Sequence, residues 1–457
     1  MSRVLIIGID GGSPQLIEKW KDELPVFRRL MENGVYGSLE SCIPPVTSPA
    51  WDCMFTGKNP GKLGLYDFVT FPIDKKAGPQ IRGDFHKRRK YLWDILGDQG
   101  IKVVVMGVPN TYPAKQVNGI MVSGGLLTIV AKDSDYAYPA SVAEELDKVV
   151  GGYEIFPLTE LEILEREDLY LKEYRRILDK QAKAAKYLMN AYPWQLFICV
   201  FFDIDSVQHY FWAHTDKSHP KWTREKAEKY GDAIKDFYKS VDRAVGFLVD
   251  DAPQETLVMV VSDHGGGPLY GDFCVNEWLR QKGLLRLRPE RDWRKRTVNE
   301  ILTVLKRLVL AQVNPQILQQ VLRLVPRKLL DRFTLREMAK ESVRELFNSI
   351  DWSQTKAYGL APQSIFINVR GRDEYGIVEP GEEYEKLRDH IAKLLYEIRD
   401  PRNGTRVVDR VLKREEIYYG SYLDRAPDLM TWMGNFKLGA INFKHNIRVE
   451  RGRLWLD

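Results

Sequence analysis

The feature that most limits what this chain can fold into is a set of short, unbroken apolar runs. The first, Val4-Leu5-Ile6-Ile7-Gly8-Ile9, stops at Asp10-Gly11-Gly12. Comparable runs lie at residues 102–109, 194–202 and 256–261. They are rich in β-branched residues and too short for core helices, so they read as strands buried on both faces. Segments of helical period lie between them. From about Arg224, for instance, Ile234, Phe237, Val241, Val245 and Leu248 recur at three-to-four spacing. Strands alternating with helices make a parallel sheet covered on both sides. The expected fold is a three-layer α/β/α sandwich with a largely parallel central sheet.

Three of these strands deliver an acid: Asp10, Asp205 and Asp263. Ligands of open α/β sheets collect at the carboxyl ends of the strands. Asp263 is followed by His264 and three glycines, an oxygen and a nitrogen ligand on a pliant strand end. Asp205 and His209 are spaced i, i+4, which puts both on one face if a helix begins there. Each pair also has a plain structural reading, as a strand-end turn or as a helix-start acid with a surface histidine.

Residues Pro44-Pro45-Val46-Thr47-Ser48-Pro49-Ala50-Trp51 read as a turn entering a helix. A hydroxyl residue there can serve as N-cap, with Pro49 as the first helical residue. A helix N-terminus also attracts anions, so such a hydroxyl is well placed to meet a phosphoryl group. Taken together, Asp10, Thr47, Asp205, His209, Asp263 and His264 are expected at one edge of the sheet. A two-metal site with a nucleophilic hydroxyl accounts for all six. Paired cations clamp the attacking and leaving oxygens of a phosphoryl group, and metal contact lowers the hydroxyl pKa.

Residues 286–349 differ from the rest. Arginines and lysines outnumber acids there and are interleaved with Leu/Val stripes. We read this stretch as a basic helical insertion or cap, with residues 1–285 and 350–457 forming the α/β core. A lid over an anionic substrate, a lipid-facing surface, an oligomer contact and a solvated amphipathic pair all fit it.

Net charge is +5 over 457 residues, too mild for general nucleic-acid binding, and no nucleic-acid motif stands out. The four cysteines, Cys42, Cys53, Cys199 and Cys274, form no CxxC and no dense framework, which suits a reducing cytoplasm. No apolar stretch is long enough for a membrane span. The expected partner is a small phosphorylated substrate. Oligomeric state is not legible.

The ordered motifs "IDGG", "PPVTSPAW…TG", "DSVQH" and "SDHGGG" resemble the alkaline phosphatase superfamily, in its type I phosphodiesterase/nucleotide pyrophosphatase branch. That resemblance implies a metal-dependent phosphohydrolase with two divalent ions, zinc or else manganese. Asp10, Thr47, Asp263 and His264 would hold one ion, and Asp205 and His209 the other. Thr47 would attack phosphorus to form a phospho-threonine, with Ser48 the alternative if the register shifts by one. The family adds a late histidine to the second ion. His390 falls within a helical pattern, which leaves His445 as the candidate. Leu63 stands where relatives often carry His. Sulfatases use Cys or Ser as the nucleophile, with a downstream Arg. Thr47 and Trp51 stand at those positions here, which argues against sulfatase chemistry. The alternatives on this fold are a phosphomutase, a phosphonate hydrolase, or a degenerate binding protein poor in metal.

Overall fold

The computed structural model describes residues 3–68, 89–124, 134–155, 166–289, 344–361, 363–433 and 454–456. Six strands form the central sheet: β1 (Val4–Ile9), β2 (Val103–Met106), β3 (Gly119–Val122), β4 (Ala137–Tyr138), β5 (Leu196–Phe201) and β6 (Leu257–Val261). Their order is β4-β3-β2-β5-β1-β6. All neighbours are parallel except the antiparallel β3/β4 pair at one edge. The α/β fold with a largely parallel sheet is therefore as expected.

The pleat of β1 sorts its side chains between two cores. Leu5, Ile7 and Ile9 pack with the helices Glu167–Ala191, Asp203–Thr215 and Ala233–Val249. Ile6 packs on the other face with Trp51, Phe55, Trp93, Ile198 and Val200. Gly8 lies on this second face too. A Cβ there would sit 2.5 Å from the Trp51 ring and 2.8 Å from Val200, so only glycine lets the indole lie against the strand.

Two local expectations change, and the segment after Asp10 forms two helices, Pro14–Trp20 and Pro25–Asn33, because Pro25 cannot continue the first and instead starts the second. The run at 256–261 is not a buried strand. Among the described residues β6 is an edge strand, with Leu257 62% and Met259 45% exposed. The C-terminal part does not extend the parallel sheet. With β7 (Asp272–Phe273) lying between, strands β8 (Ala357–Ala361), β9 (Ser364–Ile367), β10 (Val408–Lys413) and β11 (Leu429–Met433) form a separate antiparallel sheet, ordered β10-β11-β9-β8. A two-stranded ribbon joins β7 to β12 (Trp455–Leu456).

Most of the basic stretch 286–349 lies outside the described residues. Its two ends lie side by side. Arg288 N–H donates to Ser349 O (2.8 Å), and Asp351 N–H donates to Arg286 O (2.8 Å).

The second sheet is joined to the turn that follows the Thr47 helix. Tyr422 N–H donates to Gly61 O (3.0 Å), Asn59 Nδ2 to Ile417 O (3.1 Å), and the Tyr66 hydroxyl to Tyr422 O (2.7 Å). Gly61 and Gly420 approach so closely that a Cβ on either would fall 2.7 Å from a backbone oxygen of the other segment. Ile43, on the approach to Thr47, packs with Leu412, Tyr418 and Met430.

Candidate active site

Asp10 follows β1 directly and is fully buried. Thr47 is the first residue of the helix Thr47–Thr56 and is 4% exposed. The expected hydroxyl cap is absent. Val46 is the N-cap residue, no side chain caps the helix, and Pro49 is its third residue rather than its first. The Thr47 hydroxyl is thereby left for other contacts. Oγ1 donates to Asp10 Oδ1 (3.2 Å) and lies 3.1 Å from His264 Nε2.

Ser48, the alternative nucleophile, points elsewhere. Its hydroxyl donates to Asn110 Oδ1 (3.1 Å), and Asn110 Nδ2 returns a bond to Ser48 O (2.9 Å). Asn110 is held at φ 64°, a left-handed conformation that asparagine tolerates better than most residues.

A helix does begin at Asp203, so Asp205 and His209 share a face, with Asp205 Oδ2 and His209 Nε2 3.3 Å apart. Asp263 and His264 follow β6. Gly11 N–H donates to Asp263 Oδ1 (3.1 Å). Asp263 Oδ2 is buried and has no hydrogen-bond partner among the described residues. His264 Nε2 is 3.2 Å from it and 3.7 Å from Asp10 Oδ1. Of the sequence-derived residues, then, Asp10, Thr47, Asp263 and His264 converge directly. Asp205 joins them: Asp10, Asp205 and His264 present ligand atoms within 4.8 Å of one another. This is the one such group among the described residues. His390 lies on the exposed side of the helix Glu382–Tyr396, which packs against β10. His445 is outside the described residues.

The pocket concentrates negative charge. The His264 Nδ1 faces Gly265 O at 2.8 Å, and a carbonyl can only accept, so Nδ1 carries the proton of the neutral ring. Nε2 then offers a bare lone pair beside the carboxylates. Burial, followed by the charges of Asp263 and Asp205, raises the Asp10 carboxyl well above its ordinary range. Burial also pushes Asp263 up to about 6. Burial acts on Asp205 in the same direction, but the charge and hydrogen bond of His209 outweigh it and hold that carboxyl low. Buried carboxylates and an unprotonated imidazole nitrogen form a donor set that a divalent cation would satisfy. The orphaned Asp263 Oδ2 fits the same occupant.

Two further neighbours are not marked by the sequence motifs. Trp51 Nε1 donates to Asp10 Oδ2 (2.7 Å). Its i, i+4 relation to Thr47 is the signal that could have placed it on the same helix face. Gln208 is buried on the Asp205 helix and donates through Nε2 to Gly11 O (2.7 Å). A Cβ at Gly266 would lie 2.5 Å from Gln208 Oε1, so this amide also fits against the loop after His264. No sequence pattern marks that role.

Sequence comparison identifies a hydrolase of phosphoester bonds, and the cluster of Asp10, Asp205 and His264 is a group that could hold a metal ion. The chain belongs to the type I phosphodiesterase / nucleotide pyrophosphatase family, whose model matches residues 4–437. No curated protein matches it in sequence. Among solved structures it is similar to phosphonoacetate hydrolase from Sinorhizobium meliloti 1021, with 16% identity over 97% of this chain and 84% of that one, and a TM-score of 0.51. Murine ectonucleotide pyrophosphatase / phosphodiesterase 5 is 11% identical over 95% of this chain and 79% of its own, with a TM-score of 0.47. Among the described residues no helix is long and apolar enough to cross a membrane.

Proposed function

We propose that the chain cleaves phosphodiester or nucleotide pyrophosphate bonds through a phospho-threonine at a two-metal site. The observation that carries this reading is the Thr47 hydroxyl, free of any capping bond and set between Asp10 and His264. Asp10, Thr47, Asp263 and His264 would hold one ion. Asp205 and His209 would hold the second, with His445 the candidate third ligand. Zinc suits these nitrogen and oxygen donors, and manganese is the alternative. When bound, such ions lower the hydroxyl pKa and neutralise phosphoryl charge.

The chain's own part is positional. Asp10 orients Thr47 Oγ1, and the first turn of the helix directs N–H groups toward an incoming anion. Attack forms the Oγ1–P bond and releases the leaving group with its bonding electrons. Water then cleaves the Thr47 phosphoester and restores the hydroxyl. We also retain residues 286–349 as an insertion, supported by its paired ends. That none of the four cysteines forms a disulfide supports a cytoplasmic location.

Purified protein with zinc or manganese should release nitrophenol from bis-nitrophenyl phosphate. Thr47→Ala should lower turnover by ~10³-fold or more. Undiminished activity in that variant would remove Thr47 from the mechanism. Phosphorus NMR separates this reading from a phosphomutase, which would leave the phosphoryl group on a product.

A further inference from the structure

The helix that carries Thr47 contacts Asp10 twice. Thr47 Oγ1 donates to Oδ1 (3.2 Å), and one turn later Trp51 Nε1 donates to Oδ2 (2.7 Å). Both side chains are buried. The indole is held from two sides. It stacks on Phe55 with centroids 5.7 Å apart and planes at 11°, and it lies against Gly8, where even a methyl group would collide. A ring held this way keeps its N–H on one oxygen of one carboxylate.

The two oxygens of Asp10 therefore differ. Oδ2 is committed to the indole. Oδ1 faces Thr47 and lies 3.7 Å from the bare Nε2 of His264. Resting on the metal-site reading above, we propose that Trp51 is a positioning residue that limits Asp10 to one-oxygen ligation and thereby favours small, low-coordinate cations. Zinc is typically four-coordinate, with single oxygen donors from carboxylates, whereas calcium takes six to eight oxygens and often both from one carboxylate. Removing the indole N–H would release Oδ2 and relax that discrimination. Partners that orient a ligand from behind commonly account for about 10–100-fold in metal affinity.

The test is calorimetric titration of the metal-stripped full chain with zinc chloride and with calcium chloride. Trp51→Phe keeps most of the ring volume and removes the donor. Zinc affinity should fall roughly 10–100-fold, and the zinc-to-calcium ratio should fall with it. Turnover should drop mainly in kcat, with KM little changed. Phe237→Leu, in the core on the other face of the sheet from the indole, is the packing control. It should lower the melting temperature and leave the zinc-to-calcium ratio as in the wild type.

An unchanged ratio in a folded Trp51→Phe variant overturns the proposal. So does a ratio that falls equally in Phe237→Leu. Should Trp51→Phe fail to fold, the wild-type indole proton resonance decides. It should keep its hydrogen-bonded shift when zinc is added, and loss of that shift overturns the proposal. A wild-type chain that binds no zinc, or binds it equally well after Asp263→Asn, would instead bring down the metal-site reading itself.

Discussion

Asp428 on one side, and buried Asp10 and Asp263 with half-buried Asp205 on the other, show opposite solutions to the same problem. Asp428, in the antiparallel sheet region, is fully buried and fully answered. Arg372 Nη1 and Nη2 donate to it at 2.6 and 2.8 Å, the Tyr384 hydroxyl at 2.6 Å, and Ile367 N–H at 2.6 Å. Asp10, Asp205 and Asp263, at the edge of the parallel sheet, receive no lysine or arginine among the described residues. Their ion-pair partners are His209 and His264. The same chain can build a buried acid with its own cation. Where it leaves three acids without one, the missing charge marks the place for an external ion.

The largest expected effect breaks the satisfied side. Arg372→Ala leaves Asp428 buried without its main counter-charge and should cost about 3–5 kcal/mol, read from urea unfolding. A loss near zero would mean that the remaining partners, Tyr384, Ile367 N–H and Arg414 Nη1 at 3.5 Å, suffice for Asp428, and the contrast would collapse. Next comes the unsatisfied side. Zinc at about a hundred times its dissociation constant should stabilise the wild type by about 2.7 kcal/mol. Thermal scans with and without a chelator would measure this, and Asp263→Asn should abolish most of the gain.

The same substitution should have a smaller, opposite effect without metal. The Asp263 carboxyl is raised from 3.8 to about 6 in the folded chain. The folded state therefore holds that proton more tightly, and metal-free stability falls as pH rises through the interval from 3.8 to about 6. An amide in its place would be neutral and could still accept from Gly11 N–H, so Asp263→Asn should stabilise the metal-free protein at pH 7 by about 1–2 kcal/mol. Equal apo stabilities would show that the acids are already relieved.

The smallest effect concerns His219, on the turn that ties the Asp205 helix to the loop after His264. Its Nε2–H donates to Leu269 O (2.7 Å), and its Nδ1 accepts from Lys221 N–H (3.1 Å), so both nitrogens are used by the neutral ring. Burial holds its pKa below 6.5. The unfolded chain then takes the proton first, and stability is lost as pH falls below 6.5. Melting curves of wild type and His219→Gln between about pH 7 and 5.5 should diverge on the acid side.

The parallel sheet is legible in the sequence because its central strands are apolar runs, three of them leading to an acid. The antiparallel pairing is not, because β8, Ala357-Tyr358-Gly359-Leu360-Ala361, has weak strand character by composition. The exposure of β6 is hidden because an apolar run reports what a strand is made of, not how many neighbours it has. At the site, Asp10, Thr47, Asp205, Asp263 and His264 are legible from spacing and strand ends. Trp51 and Gln208 are not, because their roles depend on contacts with Asp10 and Gly11 that only the assembled sheet creates. The hydroxyl cap is misplaced by sequence because a hydroxyl that caps a helix and one that makes other contacts look alike there.

The joint between Gly61 and Gly420 bears on how such a protein can diversify. The antiparallel sheet carries none of the residues assigned to the chemistry, yet its connecting backbone rests against the turn that ends the Thr47 region. A replacement sheet from another protein would have to reproduce that approach to within an atom's width. The two parts are therefore bound to be inherited as a pair, and new specificities are easier to acquire in surface insertions than by exchanging the second sheet.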